Sequence, residues 1–291
     1  MALALAASPA GAWFESNAGG ARAAALGDAF VAVADDASAL YWNPAGLVQL
    51  ARHEVLCASD RVGAVAGVHT DFAAAALHTR WGTTGVAWRH LGLDATARED
   101  WIAIGAARTW IRRSLGAFVS TGAVLEILHV GLDAPPALPG LRDGDTGWAA
   151  SVGALLQPIP NVTAGVVVRH LGQPQFDLYA GGERTRLDAE VEWGLSLRWR
   201  EDGRIQVARL RTASGYTRTR VGAQLHVAGP LDLSAGVSRD AWTSGLAVRL
   251  DRFTLDWAYR VDAGLGTSSQ VGLRVALGQP RETVGGDFDA F

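Results

Sequence analysis

From His53 onward the chain alternates between apolar and polar positions with a period of two. In Asp188–Arg200, residues Ala189, Val191, Trp193, Leu195, Leu197 and Trp199 share one face; Glu190, Glu192, Gly194, Ser196, Arg198 and Arg200 share the other. Phe253–Asp262 repeats the pattern, with Phe253, Leu255, Trp257, Tyr259 and Val261 opposite Thr254, Asp256, Ala258, Arg260 and Asp262. Gln270–Leu277 does so again, with Val271, Leu273, Val275 and Leu277 opposite Gln270, Gly272, Arg274 and Ala276. Strands of soluble sandwiches also alternate. Here one face stays aliphatic or aromatic over about ten residues while the other is charged or small, in segment after segment, which is the pattern of a strand between lipid and a barrel interior.

Marking every such segment predicts strands at 53–61, 68–81, 84–94, 100–111, 115–132, 146–157, 162–172, 188–200, 204–211, 219–228, 231–239, 242–250, 253–262 and 268–277. The expected fold class is therefore all-β: a transmembrane, antiparallel, up-and-down β-barrel of about 14 strands. Joins from even to odd strands are tight, as at Gly82-Thr83, Gly229-Pro230 and Asp251-Arg252, whereas Asp133–Asp145 and Gln173–Leu187 are long. Short periplasmic turns and longer outer loops mark a bacterial outer-membrane barrel, and an even count puts both termini in the periplasm. Trp81, Trp110 and Trp199 beside the short turns, and Trp101, Trp148 and Trp242 near the opposite ends, read as two interfacial girdles.

The first fifty residues have another texture. Met1–Ala12 reads as the remnant of a secretory signal peptide lacking its charged start. In Gly19–Leu50, Ala-rich helical pieces break at Gly27 and at Asp35-Asp36, where Asp can cap a helix, and Asn43-Pro44 closes the second piece. Half of the 291 residues (49%) are hydrophobic, too many for a disordered chain, yet no run of about 18 uncharged apolar residues suggests a transmembrane helix. Cys57 is the one cysteine, which rules out an internal disulfide and a multi-Cys zinc site. A net charge of −3 without a basic run excludes a nucleic-acid partner. The absence of Lys beside 26 basic residues reads as coding bias.

The stretch Gly20–Leu47 resembles the N-terminal signature of PorV/PorQ-type outer-membrane proteins, themselves similar to the FadL family of hydrophobic-compound transporters. Its elements are Gly27-Asp28-Ala29-Phe30, Asp35-Asp36-Ala37-Ser38-Ala39 and Trp42-Asn43-Pro44-Ala45-Gly46-Leu47. The resemblance covers about a tenth of the chain and implies a fourteen-stranded barrel whose N-terminal segment folds into the lumen as a hatch. The expected organisation is a signal remnant at 1–12, a hatch at 13–52, a barrel at 53–278 and a periplasmic tail at 279–291. Gln270, Gly272, Val275 and Leu277 look like the signal read by the outer-membrane insertion machinery, although Gly278–Phe291 follows it.

No GxSxG, HExxH, Walker A or CxxC motif is present, so neither an enzyme, a metal centre nor a cofactor is expected. His170 and His226 face inward on the alternation and read as structural. The richest inward constellation is Glu190, Glu192, Arg198, Arg200, Arg249, Asp256, Arg260, Asp262 and Arg274. Buried dry and unpaired these charges would be costly, so they are expected to line water or to pair with one another and with the hatch acids Asp28, Asp35 and Asp36. Two functions follow: transport of a hydrophobic small molecule past the hatch, or a plugged barrel that engages secreted or envelope proteins through its outer loops. Besides these, the expected partners are outer-membrane lipid and the insertion machinery.

Overall fold

The computed structural model describes residues 14, 19–62, 67–93, 96–112, 116–132, 142–178, 184–199, 202–264 and 266–280. Alternation becomes strand along most of the chain: β1 (His53–Val62), β2 (Val68–Thr79), β3 (Gly82–Leu93), β4 (Ala97–Arg112), β5 (Phe118–Leu132), β6 (Gly144–Ile159) and β7 (Val162–Leu171). A short hairpin, β8 (Gln175–Phe176) and β9 (Thr185–Arg186), interrupts the next connection. Then follow β10 (Glu190–Trp199), β11 (Gly203–Thr212), β12 (Thr217–Ala228), β13 (Leu231–Ser238), β14 (Ala241–Leu250), β15 (Phe253–Asp262) and β16 (Gly266–Leu277).

β1–β7 and β10–β16 form one closed antiparallel barrel of 14 strands, in chain order around the wall. The seam runs between β1 and β16, from His53↔Leu277 to Val62↔Ser268. Closure leaves no strand edge without partners, which is the condition for a sheet to stand in hydrocarbon. The outward faces carry exposed Val86, Ile102, Ile104, Leu125, Trp193, Leu195, Leu197, Leu255, Val271 and Leu273. A continuous apolar surface of that kind would aggregate in water, and it is the lipid-facing wall of a transmembrane barrel.

Asymmetry between the two rims rests on two connections, 133–143 and 172–189; the others run from two to five residues on either side. His53 and Leu277 both lie at the short-turn rim. Trp148 (68% exposed), Trp242, Trp81 and Trp110 point outward, but Trp101 is only 3% exposed. The girdle reading fails for Trp101 because parity outranks height. It shares the inward face of β4 with Glu99 and Ala103, and it packs over the hatch.

A hatch wound against a ring of glycines

Residues 19–50 lie inside the barrel, and nearly all of them are buried. Helix is scarcer there than the Ala-rich sequence suggests: α1 (Ala21–Ala25) has five residues and α2 (Ala39–Trp42) four, followed by a 3-10 turn at Pro44–Gln49. The reason is shape, since a segment that must follow the inner wall needs frequent reversals. Gly27 (φ 64°), Asp28 (φ 63°) and Ala34 (φ 32°) supply them in the left-handed region.

The signature residues each hold a piece of this path. Asp36 Oδ1 accepts from Ser38 N at 2.9 Å and from the Ser38 hydroxyl, forming the turn that starts α2. Asn43 Oδ1 accepts from Ala45 N (3.1 Å), while its Nδ2 donates to Val31 O (2.8 Å) and to Ala154 O in the wall (3.3 Å). Pro44 opens the 3-10 turn, where its missing N–H costs nothing. Trp42 donates to Gly19 O at 2.8 Å and meets Phe30 edge-on at 6.3 Å. A Cβ on Gly46 would overlap Ala34 O.

Ten barrel strands carry a glycine facing the hatch: Gly85, Gly105, Gly122, Gly153, Gly165, Gly194, Gly222, Gly236, Gly245 and Gly272. They pair across strands as Gly85↔Gly105, Gly122↔Gly153, Gly165↔Gly194 and Gly222↔Gly236. A Cβ on Gly122 would come within 2.6 Å of Ala45 N, one on Gly194 within 2.7 Å of Val31 Cγ1, and one on Gly222 within 2.5 Å of Leu26 O. The hatch thus runs round the wall, with Ala21 at β16, Ala25 at β14, Gly27 at β13, Val31 at β10 and β7, Asn43 at β6, Pro44 at β5 and Leu40 at β4 and β3. Absent side chains let its backbone lie directly on the sheet. Sequence reading missed this ring. Its signal is one inward glycine per strand, as in Thr84-Gly85-Val86, Thr121-Gly122-Ala123 and Trp193-Gly194-Leu195.

Charged contacts fall into layers. Toward the short-turn rim, Arg22 of the hatch reaches Asp35 (2.5 Å), Asp36 (3.4 Å) and Gln224 (3.2 Å), and Asp35 also takes Arg204 of β11 (2.9 Å). Burial alone would push the Asp35 carboxyl up, but Arg22 and Arg204 outweigh it and hold that carboxyl well below the usual range. Burial pushes the Asp36 carboxyl up. Asp35 is therefore the acid that faces the two guanidinium groups as an anion. In the same half Arg274 forks onto Asp256 (2.8 and 3.1 Å), and Arg249 joins Asp232 (2.7 Å) and His226 (3.0 Å).

Toward the other rim, Glu192 is fully buried between Arg169 (2.7 Å) and Arg220 (2.8 Å), with Glu190 3.8 Å from Arg169. Arg169 also donates to Tyr41 O (3.2 Å) and Trp42 O (2.7 Å), tying β7 to the end of α2. Arg260 meets hatch Asp28 at 2.5 Å. Arg89 and Glu99 pair at 3.3 Å, and Glu99 accepts Phe14 N at 3.0 Å.

The expected single constellation is thus several separate ones. Glu192 and Arg198 share the inward face of β10, but six residues of strand set them about 20 Å apart. Arg198 lines a polar recess under the hatch with Arg204, Gln49, Asn161 and Thr163. Asp262 accepts from Gly264 N (2.8 Å) in its own turn. Arg200 lies outside the described residues. Arg22, Arg89, Glu99, Arg169, Arg204, Arg220 and Asp232 were not anticipated, though the strand members among them sit on the same inward parity. Gln270 and Gly272 point inward on β16 with Val275 and Leu277 outward, all on the strand that closes the seam.

Between the hatch and the long-connection rim the lumen is aromatic. Tyr41 meets Trp42, Phe72 and Trp101 edge-on at 5.2, 6.3 and 5.4 Å. The two ends of the next long connection, 172–178 and 184–189, turn inward above them, placing Phe176 5.6 Å from Phe14 and burying Leu187 in the same cluster. Replacing Arg260 with Met leaves Asp28 buried without that partner. The expected result is greater solute leakage through reconstituted vesicles, with the barrel's heat-modifiable gel mobility unchanged.

No family model and no curated protein sequence matches the chain. Among solved structures, the Pseudomonas putida toluene transporter TodX aligns with a TM-score of 0.61 at 13% identity, over 88% of this chain and 96% of that one. A ΔS2 mutant of the TodX monoaromatic hydrocarbon channel gives 0.64 at 12% identity, again over 88% and 96%. The chain shares their barrel fold. At this identity the likeness speaks for fold, and the chemistry must come from the lumen described above.

Proposed function

We propose that the protein is a bacterial outer-membrane channel for small hydrophobic compounds, with the glycine-seated hatch as its gate and both termini in the periplasm. The observation that carries this reading is the lining of the lumen between the long connections and the hatch, where Tyr41, Phe72, Trp101, Phe14 and Phe176 cluster around the buried Arg89–Glu99 pair. A compound entering from that rim meets the aromatic faces, with Arg89 among them, and then the hatch. Apolar side chains hold it by surface burial, and passage requires the hatch to yield. The toluene transporter TodX, whose barrel fold this chain shares, supports the choice of small apolar cargo.

The second reading, a PorV/PorQ-like barrel that engages secreted proteins, rests on the signature at Gly20–Leu47. The aromatic lining of the lumen on the long-connection side, where Tyr41 meets Phe72 and Trp101 edge-on, favours the channel. Toluene crosses a plain phospholipid bilayer unaided, so the test uses cells with a lipopolysaccharide outer membrane: those carrying the protein should take up toluene several-fold faster than those lacking it, while vesicles holding the protein exclude glucose. Replacing Phe72 and Trp101 together with Ala should slow toluene uptake. Equal toluene uptake by cells with and without the protein would refute the channel.

A further inference from the structure

The lipid-facing wall of β4–β7 is not uniformly bulky. Outward Ala106, Thr121, Ala123 and Ala154 are small, whereas Ile104, Leu125, Trp148 and Leu156 around them protrude. They leave an apolar depression of about 570 Å³, with Trp81 and Arg108 also on its lining. Cross-strand register confirms the continuity: Arg108↔Thr121, Ala106↔Ala123 and Thr121↔Ala154 lie side by side. Arg108 stands four residues from the short-turn end of β4, where headgroups meet the apolar band.

Two cations are fixed there by indoles. The Arg80 guanidinium lies 4.4 Å from the Trp81 ring, and that of Arg108 lies 5.2 Å from the Trp110 ring. Trp110 is itself pinned across the β4 bulge by its Nε1 donating to Thr121 Oγ1 at 2.7 Å. Neither Arg80 nor Arg108 pairs with a carboxylate among the described residues. Anion-seeking groups at headgroup height, beside an apolar depression of ligand size that opens to hydrocarbon, match one kind of molecule in charge and in shape.

We propose that this depression binds an anionic phospholipid of the leaflet at the short turns, with an acyl chain along Ala106, Ala123 and Ala154 and the phosphate held by Arg80 and Arg108. A second copy of the chain fits less well. Two hollows cannot fill one another, and a symmetric contact would bring like guanidinium groups together. The inference rests on the transmembrane fold and is independent of what crosses the lumen.

The test is native mass spectrometry of the delipidated barrel in detergent, offered phosphatidylglycerol and phosphatidylcholine in equal amounts. The expected result is preferential retention of phosphatidylglycerol, lowered about five- to ten-fold in Arg80→Gln/Arg108→Gln, kept in Arg108→Lys, and weakened by raised salt. Filling the hollow with Ala123→Leu/Ala154→Leu should reduce retention of both lipids, and the Gln variant should leave toluene uptake unchanged. Equal retention of the two lipids, or retention insensitive to the Arg substitutions, would overturn the proposal. So would a dimer of the native protein that the Leu variant dissolves, which would assign the hollow to a second copy.

Discussion

Placing leucine at Gly153 or Gly236 should drive the hatch from its seat and open the barrel to hydrophilic solutes. A Cβ at Gly153 would overlap Asn43 Oδ1, and one at Gly236 would lie 2.7 Å from Gly27 Cα. The hatch backbone cannot retreat on one side without meeting the opposite wall. Overpacking of this kind costs about 1–3 kcal/mol, which shifts a docked–undocked equilibrium by roughly 5- to 150-fold. Ala235→Leu, the neighbouring position on β13 that faces lipid, is the control and should leave permeability at the native level. Liposome swelling with a small sugar measures the effect, and heat-modifiable gel mobility shows that the barrel has closed. Equal swelling for Gly153→Leu and Ala235→Leu would mean that the glycine ring does not seat the hatch.

Removing Arg22 should have the largest effect of any single side-chain change. Its side chain, 9% exposed, lies against Asp35, Asp36 and Gln224, and Arg22→Met leaves two carboxyl groups inside the lumen, Asp35 with Arg204 and Asp36 with Arg274 as the remaining cation. Breaking one partner out of a buried ion pair costs about 3–5 kcal/mol, enough to raise the undocked fraction by 100-fold or more. Arg22→Met/Asp35→Asn should be milder than the sum of its parts, since each change removes the group that the other strands. The pH dependence has a definite sign. The Asp35 carboxyl sits below its unfolded value, so its contribution is fully present above about pH 4 and fades only as the pH falls through the lower, folded value. Conductance of the native protein should therefore stay flat from pH 7 to pH 4 with respect to this lock and rise only in stronger acid. In Asp35→Asn that acid-dependent rise should vanish.

The barrel was legible because lipid imposes the simplest rule a sequence can obey. Val191, Trp193, Leu195 and Leu197 alternate with Glu192, Gly194 and Ser196, and every barrel strand obeyed that parity closely enough for its ends to be placed within three residues, as at Phe118 against 115. Parity says in or out but not how high. Hence parity groups Glu192 with Arg198, which stand about 20 Å apart along β10, and reads Trp101, near a strand end, as a girdle residue although it points into the lumen. The hatch acids could be named from the signature, but their partners could not. Asp35 finds Arg204 across 169 residues of chain, and Asp28 finds Arg260 across 232, distances over which local pattern carries no information. The glycine ring went unread for a different cause. Each member is unremarked within its own strand, and the ring appears only when β3 through β16 are set at their true register.

The most direct test of the gate is to staple the hatch to the wall and follow cargo. In a Cys57→Ser background, cysteines at Ala25 and Ala258, members of one buried cluster, join α1 to β15, and cysteines at Ala45 and Ser120 join the 3-10 turn to β5, where Ser120 Oγ donates to Ala45 O at 3.0 Å. Each stapled protein is expressed in cells with a lipopolysaccharide outer membrane, and toluene uptake is measured before and after reduction. Uptake should fall to the level of cells lacking the protein while the staples are closed and return when a reductant opens them. Native-rate uptake with both staples closed would contradict the claim that cargo crosses this barrel only when the hatch moves.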